Sequence, residues 1–403
     1  MATDRNKPTP GPTVEDVGRA NAAAVLSAVL VAGPLARAEI AERVGLTRAT
    51  VTRVANRLIE AGLLVETAPR RDNPGRPLVP LALAGSARAV ISVHIGVLES
   101  RVGLVDLHGR VVVELRDRYT DPDPAHIVSV IAGRVADVIA DHGGTTRVLG
   151  VGASVGGWVD PDAGVVMRFD PLAWENVPLA ELLATATGLP VRLDQVARGL
   201  VRAERMYGAA RDVDDLLLIW VGHILEAALV TEGRIRFGAH GAGGTLAHFP
   251  VRVATAPCAC GRTGCLAALA TDQAIMAEAV RRGLAPEQAT MRDLGQLSGV
   301  SWTGVAQFVS EVGAVAGESV AAMADLLNPS VVLLAGLVTT LPTYMDAFAA
   351  RLGECVSAHG TIQVRGSTLG DMAPTVGSAA TLLGPFFADP FGFESSLGTG
   401  CGA

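Results

Sequence analysis

The chain has 403 residues, of which 49% are hydrophobic and 18% are charged, and it contains 46 Gly and 22 Pro. This composition excludes an intrinsically disordered, collagen-like or coiled-coil protein, and the length allows about two to four domains. The first 80 residues carry 11 Lys and Arg against 8 Asp and Glu, whereas the rest carry 22 against 32, so we expect nucleic-acid binding at one end of the chain only.

A helix-turn-helix pattern follows a flexible, Pro-rich tail that we place at residues 1–18. Apolar residues at helical spacing predict three helices, at 19–32, 37–44 and 47–61. Gly45 suits the tight turn between the second and third helices, and the hydroxyl of Thr47 is placed to cap the third. Because two strands of a hairpin are predicted at 63–66 and 78–83, we assign residues 19–86 to a winged helix DNA-binding domain.

The third predicted helix has an apolar face for packing and a polar face that is free to enter a major groove. Arg pairs there with guanine and Asn with adenine, and a basic wing tip contacts phosphate or the minor groove. The candidate DNA-binding residues are Arg48, Thr52, Arg53, Asn56 and Arg57 on the helix and Arg71 and Arg76 in the wing. The alternative is a solvated, charged helix in a packing module.

Two long uncharged segments could be mistaken for export or membrane signals. Residues 20–36 have helical spacing and end at Gly33-Pro34, as an ordinary helix does. Residues 326–345 are interrupted by Pro329 and Pro342, and they are predicted to be a buried strand with its connections. We therefore expect a cytoplasmic protein with no membrane partner.

From Ala89 onward the apolar residues recur with the period of two that is typical of strands. Three strands are predicted at 89–97, 101–107 and 111–118, and the same arrangement returns at 215–222, 226–231 and 234–237. Two such meanders indicate an α/β fold of two similar lobes with a cleft between them, the plan of the actin-like (ribonuclease H-like) sugar kinases. We predict a first lobe at 87–205, to which about 375–403 returns, and a second lobe at 206–374 with dimerisation helices.

Four potential metal ligands lie close together in the second lobe, His248, Cys258, Cys260 and Cys265. One imidazole and three thiolates make a closed tetrahedral set that suits Zn²⁺, and the glycines between the cysteines let the backbone turn tightly around an ion. Because no ligand position is left for water, the zinc would be structural. The alternative is four unrelated buried residues.

The Cys-x-Cys-Gly-x-x-Gly-Cys spacing with an upstream histidine resembles the ROK family of repressors, open reading frames and sugar kinases. The resemblance spans essentially the whole chain and includes the wing Gly75-Arg76-Pro77, Asp160 and Glu204. It implies a winged helix in front of a sugar-kinase fold, a homodimer or tetramer, and control of carbohydrate genes by a sugar or a sugar derivative.

The chain departs from the family where the resemblance implies kinase chemistry. His94-Ile-Gly-Val-Leu98 stands in place of an Asp-x-Gly-Gly-Thr phosphate loop, and Gly222-His-Ile-Leu-Glu-Ala227 stands in place of a second, Gly-rich loop. Val196 occupies the position of the catalytic Asp, and Asp194 lies two residues earlier. Bulky side chains and an added negative charge oppose a triphosphate, so we expect no kinase activity.

The sugar pocket that the resemblance implies is also altered. Its positions correspond here to Asp170, Gln195, Val196, Thr245, His248 and Ala267. Of these only His248 is retained, so a plain hexose should bind weakly. Trp174 and Trp158 are placed to stack on a ring, and core packing is the alternative for either one.

These features predict a DNA-binding transcriptional regulator, most simply a repressor, that binds an operator with two winged helices and a ligand in its cleft. An ATP-dependent or bifunctional sugar kinase is one alternative. The other is a regulator that responds to a protein partner in place of a sugar.

Overall fold

The structure is a computed structural model that describes residues 13–70, 78–144, 146–251, 256–258, 260–299, 303–357 and 361–393. The chain forms two compact units. The first comprises residues Met1–Arg88 and Leu383–Ala403, and the second comprises Ala89–Leu382. We call them the winged-helix unit and the body. Among the helices of the described ranges, none is long and apolar enough to cross a membrane.

The winged-helix unit contains the three predicted helices and a small sheet. In chain order its elements are α1 (Val14–Ala32), β1 (Leu35–Ala36), α2 (Arg37–Val44), α3 (Arg48–Glu60), β2 (Leu64–Glu66) and β3 (Pro80–Leu83). The sheet has the order β1-β3-β2 and is antiparallel. The strand β1 has two residues, which is too short to leave a period in the sequence, and it was not predicted.

The first helix begins earlier than predicted. It starts at Val14 and not at residue 19, because the Thr13 side chain and the Asp16 side chain each accept a hydrogen bond from the other residue's backbone N–H. This reciprocal capping box stabilises the first turn. The prediction of a flexible tail at 1–18 is therefore wrong for residues 14–18.

The first half of the body carries a five-stranded sheet. Its elements are β4 (Arg88–Ile95), β5 (Glu99–Asp106), β6 (Val111–Arg118), α4 (Pro124–His142), β7 (Arg147–Val155), β8 (Trp158–Asp160), β9 (Val165–Phe169), β10 (Trp174–Val177), α5 (Leu179–Thr187), β11 (Val191–Gln195) and α6 (Val196–Met206). The strand order is β11-β7-β4-β5-β6, with β4, β5 and β6 antiparallel and β11 parallel to β7. The short strands β8, β9 and β10 form a separate antiparallel sheet.

The second half of the body repeats this plan. Its elements are β12 (Leu216–Val221), β13 (Leu225–Thr231), β14 (Arg234–Arg236), α7 (Ala267–Ala270), α8 (Asp272–Arg281), α9 (Met291–Gly299), α10 (Thr303–Leu327), β15 (Val331–Ala335), α11 (Pro342–Cys355) and β16 (Gln363–Gly366), followed by α12 (Ala373–Ala388). The strand order β14-β13-β12-β15-β16 again joins an antiparallel meander to two parallel strands. The predicted duplicated α/β core is confirmed.

The last helix, α12, takes part in both compact units. Its first turns pack on the first-half sheet, where Ser92 Oγ donates to Thr375 O at 2.6 Å and the hydroxyls of Ser154 and Ser378 lie 2.6 Å apart. From Leu383 onward the chain groups with the winged-helix unit. We predicted that about 375–403 returns to the first lobe; within the described residues, the chain groups with the body up to Leu382 and with the winged-helix unit after it.

Candidate functional site

The candidate DNA-binding surface lies on α3, whose start is set by the local sequence. Gly45 adopts a left-handed conformation with φ of +67°, and the Thr47 side chain accepts a hydrogen bond from the N–H of Thr50 at 3.2 Å. The apolar side chains buried on this helix are Val51, Val54, Ala55 and Leu58. The opposite face therefore points away from the core of the winged-helix unit.

The five predicted DNA-binding residues of α3 are all exposed, namely Arg48, Thr52, Arg53, Asn56 and Arg57. Within the described part of the chain, the guanidinium groups of Arg48 and Arg53 make no hydrogen bond or ion pair. They are available to acceptors that a partner molecule would bring. The wing residues Arg71 and Arg76 lie outside the described residues.

Two residues of this surface have side-chain partners outside α3 but inside the winged-helix unit. Asn56 Oδ1 accepts a hydrogen bond at 3.3 Å from Arg37, which also donates to Glu66 at 2.8 Å. The guanidinium carbon of Arg57 lies 4.6 Å from the centre of the Phe391 ring. Sequence reasoning missed these partners because they are distant along the chain. Arg57 accordingly stands at the edge of the surface, against the C-terminal segment.

The four predicted metal ligands come together in the second half of the body. Their ligand atoms, from His248, Cys258, Cys260 and Cys265, lie within 4.8 Å of one another. Cys258 Sγ is 3.6 Å from His248 Nδ1, and Cys260 Sγ is 3.7 Å from Cys265 Sγ. A tetrahedral Zn²⁺ with bonds of about 2.0–2.3 Å needs ligand atoms about 3.5–3.8 Å apart, so both the spacing and the donor set fit this metal.

Tight turns position the sulfur ligands. Gly261 and Gly264 have φ of +81° and +79°, a conformation that favours glycine, and the Cys258 N–H donates to Arg262 O at 2.7 Å. The Arg262 side chain also donates to Cys260 Sγ at 3.4 Å, and this contact lowers the pKa of the Cys260 thiol to about 6. The thiolate that results is the form that binds a metal ion.

The two segments that correspond to kinase phosphate loops are tight turns between strands. The Gly96 N–H donates to Glu99 O at 3.0 Å, and the Gly222 N–H donates to Ile224 O at 3.0 Å. His94, at the place of the expected loop Asp, is buried, and burial lowers its pKa to about 3. A neutral buried imidazole therefore stands where a kinase would have a carboxylate for its metal ion.

The position that corresponds to the catalytic base is apolar. Val196 begins α6 and is buried. Asp194 does not replace the base, because its Oδ1 accepts from Arg198 Nε at 2.5 Å and its Oδ2 accepts from Arg202 at 2.5 Å. Both carboxylate oxygens are therefore engaged by arginines of α6.

A cavity of about 1800 Å³ lies between the two halves of the body. Four predicted ligand-binding residues border it, Asp170, Gln195, Thr245 and His248. Asp170 forms an ion pair with Arg168 at 2.5 Å. Trp158 also borders the cavity, and its indole N–H donates to His240 O at 2.8 Å. The cavity combines a polar rim with aromatic surface, as small-molecule sites commonly do.

Trp174 does not belong to this cavity. Its side chain is 2% exposed in the core of the first half, and its indole N–H donates to Pro122 O at 2.7 Å. The buried N–H is satisfied inside the fold, and the ring has no face open to a ligand. We therefore correct Trp174 from a ligand-binding residue to a core residue.

Glu226 borders the cavity, and sequence reasoning did not include it among the ligand-binding residues. It is 5% exposed and accepts a hydrogen bond from the Gly157 N–H, and burial raises its pKa to about 8. The signal available in the sequence was one acidic residue inside the apolar strand that begins at Leu225.

The ROK family model matches residues 90–384, and the MarR family model matches residues 15–73. The N-acetylglucosamine repressor of Escherichia coli O6:H1 is 26% identical over 81% of this chain and 82% of its own. A transcriptional regulator of Mycobacterium bovis is 30% identical over 92% of this chain and 86% of its own. The solved structure of a ROK family transcriptional regulator, a homologue of the E. coli MLC protein, has a TM-score of 0.78 at 23% identity and covers 94% of this chain and 98% of its own. These matches confirm the resemblance found in the sequence, and the chain belongs to the ROK family.

Proposed function

We propose that the protein is a DNA-binding transcriptional regulator of carbohydrate-related genes, most simply a repressor, whose body binds a small effector and does not phosphorylate it. Two copies would place one α3 each in the half-sites of a pseudo-palindromic operator. An effector would release the DNA by binding more tightly to the arrangement of the body that does not bind the operator.

The observation that carries this proposal is the exposed face of α3. Arg48 and Arg53 project from a helix whose apolar side is buried, and no acid among the described residues neutralises them. Base-edge and phosphate recognition both need such unpaired guanidinium groups. The named relatives, a repressor and a transcriptional regulator, support the same function.

We also propose that the metal cluster holds a structural Zn²⁺. His248 Nδ1 and three sulfur atoms would complete a tetrahedral site, which leaves no position for a reacting water molecule. The ion would link His248 to the cysteines of the turn that ends at Cys265. It would thereby stabilise one border of the cavity.

The kinase activity is proposed to be absent. The support is the buried Val196 at the position of the base, the engagement of Asp194 by two arginines, and the carboxyl of Glu226 in the second loop. A coupled assay for ADP formation with hexoses, hexosamines and ATP measures this directly. Turnover above the background without sugar would contradict the proposal.

Selection of genomic fragments by the purified full-length protein tests the DNA-binding function. We expect a shared inverted repeat that binds far more tightly than random DNA and whose affinity falls steeply with salt. Arg53→Ala should weaken binding to the selected site by about 1–3 kcal/mol. Arg110→Ala removes an exposed arginine of the body and should leave affinity unchanged. Selection of no site, or equal losses in both variants, would contradict the assignment of α3.

A further inference from the structure

Two hydrogen bonds connect Asn56, on the exposed face of α3, to the hairpin of β2 and β3. Arg37 is the first residue of α2, and its Nη2 donates to Asn56 Oδ1 at 3.3 Å and to Glu66 Oε1 at 2.8 Å. Glu66 is the last residue of β2 and pairs with Leu81 of β3 in the sheet. Side chains from three different elements thus form one connected set, which we call the Glu66-Arg37-Asn56 relay.

The chemistry of arginine decides which end of the Asn56 amide faces which way. A guanidinium group has donors and no acceptor, so the amide oxygen and not the amide nitrogen lies against Arg37. Because oxygen and nitrogen occupy opposite branches of a planar amide, Nδ2 is directed away from Arg37. No residue in the described ranges accepts a hydrogen bond from Nδ2. Asn56 therefore offers a donor to a molecule that lies on this face of α3.

Arg37 is itself held in place by the hairpin. Its ion pair with Glu66 leaves its side chain 25% exposed. A second ion pair links the same elements, between Arg70, after β2, and Glu39 of α2 at 2.7 Å. Glu39 also accepts from the Ala36 N–H at 2.6 Å, which fixes it at the start of α2. Ion pairs at this exposure add little stability, but two of them restrict the positions that Arg37 can take.

We propose that Arg37, held by Glu66, is a positioning residue that directs Asn56 Nδ2 toward an operator base and so selects against cytosine. Guanine, adenine and thymine each present an acceptor in the major groove, whereas cytosine presents only the donor at N4. An amide that is fixed as a donor accepts the first three bases and rejects cytosine. An amide without Arg37 can rotate and offer Oδ1 to cytosine. The inference rests on the proposed function, because it requires α3 to lie in a major groove.

The competing explanation is that Arg37 leaves Asn56 and contacts a DNA phosphate when the operator binds. Removal of a phosphate contact weakens binding to all sequences alike and lowers the slope of affinity against salt by about one. Loss of amide orientation changes the discrimination among bases at one position of each half-site. The two roles of Arg37 therefore have different readouts.

Binding titrations of the full-length protein, with the selected site and with its single-base variants, test the relay. Asn56→Ala identifies the position that Asn56 reads, because discrimination among the bases falls there. At that position we expect the unmodified protein to bind the cytosine variant at least about tenfold more weakly than the best base, and Arg37→Met to reduce this ratio to about threefold or less. Arg43→Met should leave the ratio unchanged, because Arg43 is an exposed arginine of the same helix that has no side-chain partner among the described residues.

Further variants test the direction of the hydrogen bonds. Asn56→Asp presents an acceptor in place of Nδ2, so the preference at this position should change to cytosine, whose N4 donates to a carboxylate. Glu66→Gln keeps an oxygen that accepts from Arg37 and should retain the ratio, whereas Glu66→Ala should lower it. An unchanged ratio in Glu66→Ala would show that Glu66 does not hold Arg37.

Two results would overturn the relay. One is that Asn56→Ala or Arg37→Met leaves the discrimination among bases unchanged at every position. The other is that Arg37→Met weakens binding to all base variants by the same factor, which would indicate a phosphate contact. Selection of no site by the unmodified protein would refute the regulator, and the relay with it, whereas a selected site with unchanged base preferences in Arg37→Met would refute the relay alone.

Discussion

Arg198 and Arg202 bind the same carboxylate from the same helix, yet their removal should have very different costs. Arg198 is 1% exposed and donates to Asp194 Oδ1 at 2.5 Å, to Gly241 O at 2.9 Å and to Val159 O at 3.1 Å. Arg202 is 19% exposed and donates to Asp194 Oδ2 and, at 3.3 Å, to a carbonyl of its own helix; both arginines also lie over the Phe237 ring. The two arginines therefore differ in burial and in the number of buried carbonyl groups to which they donate.

The expected magnitudes follow from these contacts. Arg198→Met fills much of the same space but removes the donors to two carbonyls and to one oxygen of a buried carboxylate. Each buried acceptor left without its donor costs about 1–3 kcal/mol, and Arg202 still holds the other oxygen of Asp194, so for three acceptors we expect a loss of at least about 3 kcal/mol in the free energy of unfolding. Arg202→Met leaves Arg198 in place, and we expect a loss of about 1 kcal/mol.

Urea unfolding followed by tryptophan fluorescence measures this difference. The four tryptophans of the sequence all lie between positions 158 and 302, so the signal comes from the body and not from the winged-helix unit. The comparison uses the midpoint and slope of each variant under the same conditions. If Arg198→Met were no more destabilising than Arg202→Met, the argument from burial and carbonyl contacts would be refuted.

Three further predictions concern the metal cluster, a buried acid and a strained glycine. Cys260→Ser should release zinc, measured by metal analysis, and lower the thermal stability of the body, because it removes one of the four proposed ligands. Cys355→Ser, which lies outside the cluster, should retain the metal. Zinc retained by Cys260→Ser would contradict the assigned ligands. Burial raises the pKa of Asp272 to about 7, so the folded body keeps a proton that the unfolded chain loses near pH 4, and stability should fall by about 1.4 kcal/mol per pH unit as pH rises from about 4 to 7. Glu226, whose pKa burial also raises, gives a slope of the same sign, so Asp272→Asn should reduce the total slope by about 1.4 kcal/mol per pH unit in urea titrations at several pH values, and an unchanged slope would contradict the assignment to Asp272. Gly336→Ala should lower the free energy of unfolding by at least about 3 kcal/mol in the same assay, because φ is +110° and a Cβ would lie 1.8 Å from Val221 O. A loss below about 1 kcal/mol would mean that the backbone adjusts to the added methyl group.

Features with local causes were predicted well from the sequence. The bounds of α2 agree with the prediction and those of α3 lie within one residue of it, because a left-handed Gly45 and the Thr47 cap act on neighbouring residues. The metal cluster was also predictable, since three of its four ligands lie within one short turn-rich segment. Even the early start of α1 had a local signal, the Thr13-Val-Glu-Asp16 capping box, although the predicted helix began only at residue 19.

Features that depend on distant partners were not predictable in this way. The burial of Trp174 is decided by a carbonyl at Pro122, and no period around the tryptophan reports it. The contact of Arg57, on the candidate DNA-binding surface, is with Phe391, more than 300 residues later. A single sequence does not report such pairs, because no pattern in the residues around either partner marks it as a contact residue.

The grouping of the C-terminal segment with the winged helix has a consequence for how such proteins are recombined. The unit that holds α3 is built from both ends of the chain, with Arg19 paired to Asp389 at 3.4 Å and Arg57 stacked on Phe391. A DNA-binding module excised after Arg88 would therefore lack part of its own surface. Exchange of operator specificity between regulators of this build requires two junctions, one before and one after the kinase-like body along the chain, and removal of the segment that contains Asp389 and Phe391 would take away contacts of Arg19 and Arg57.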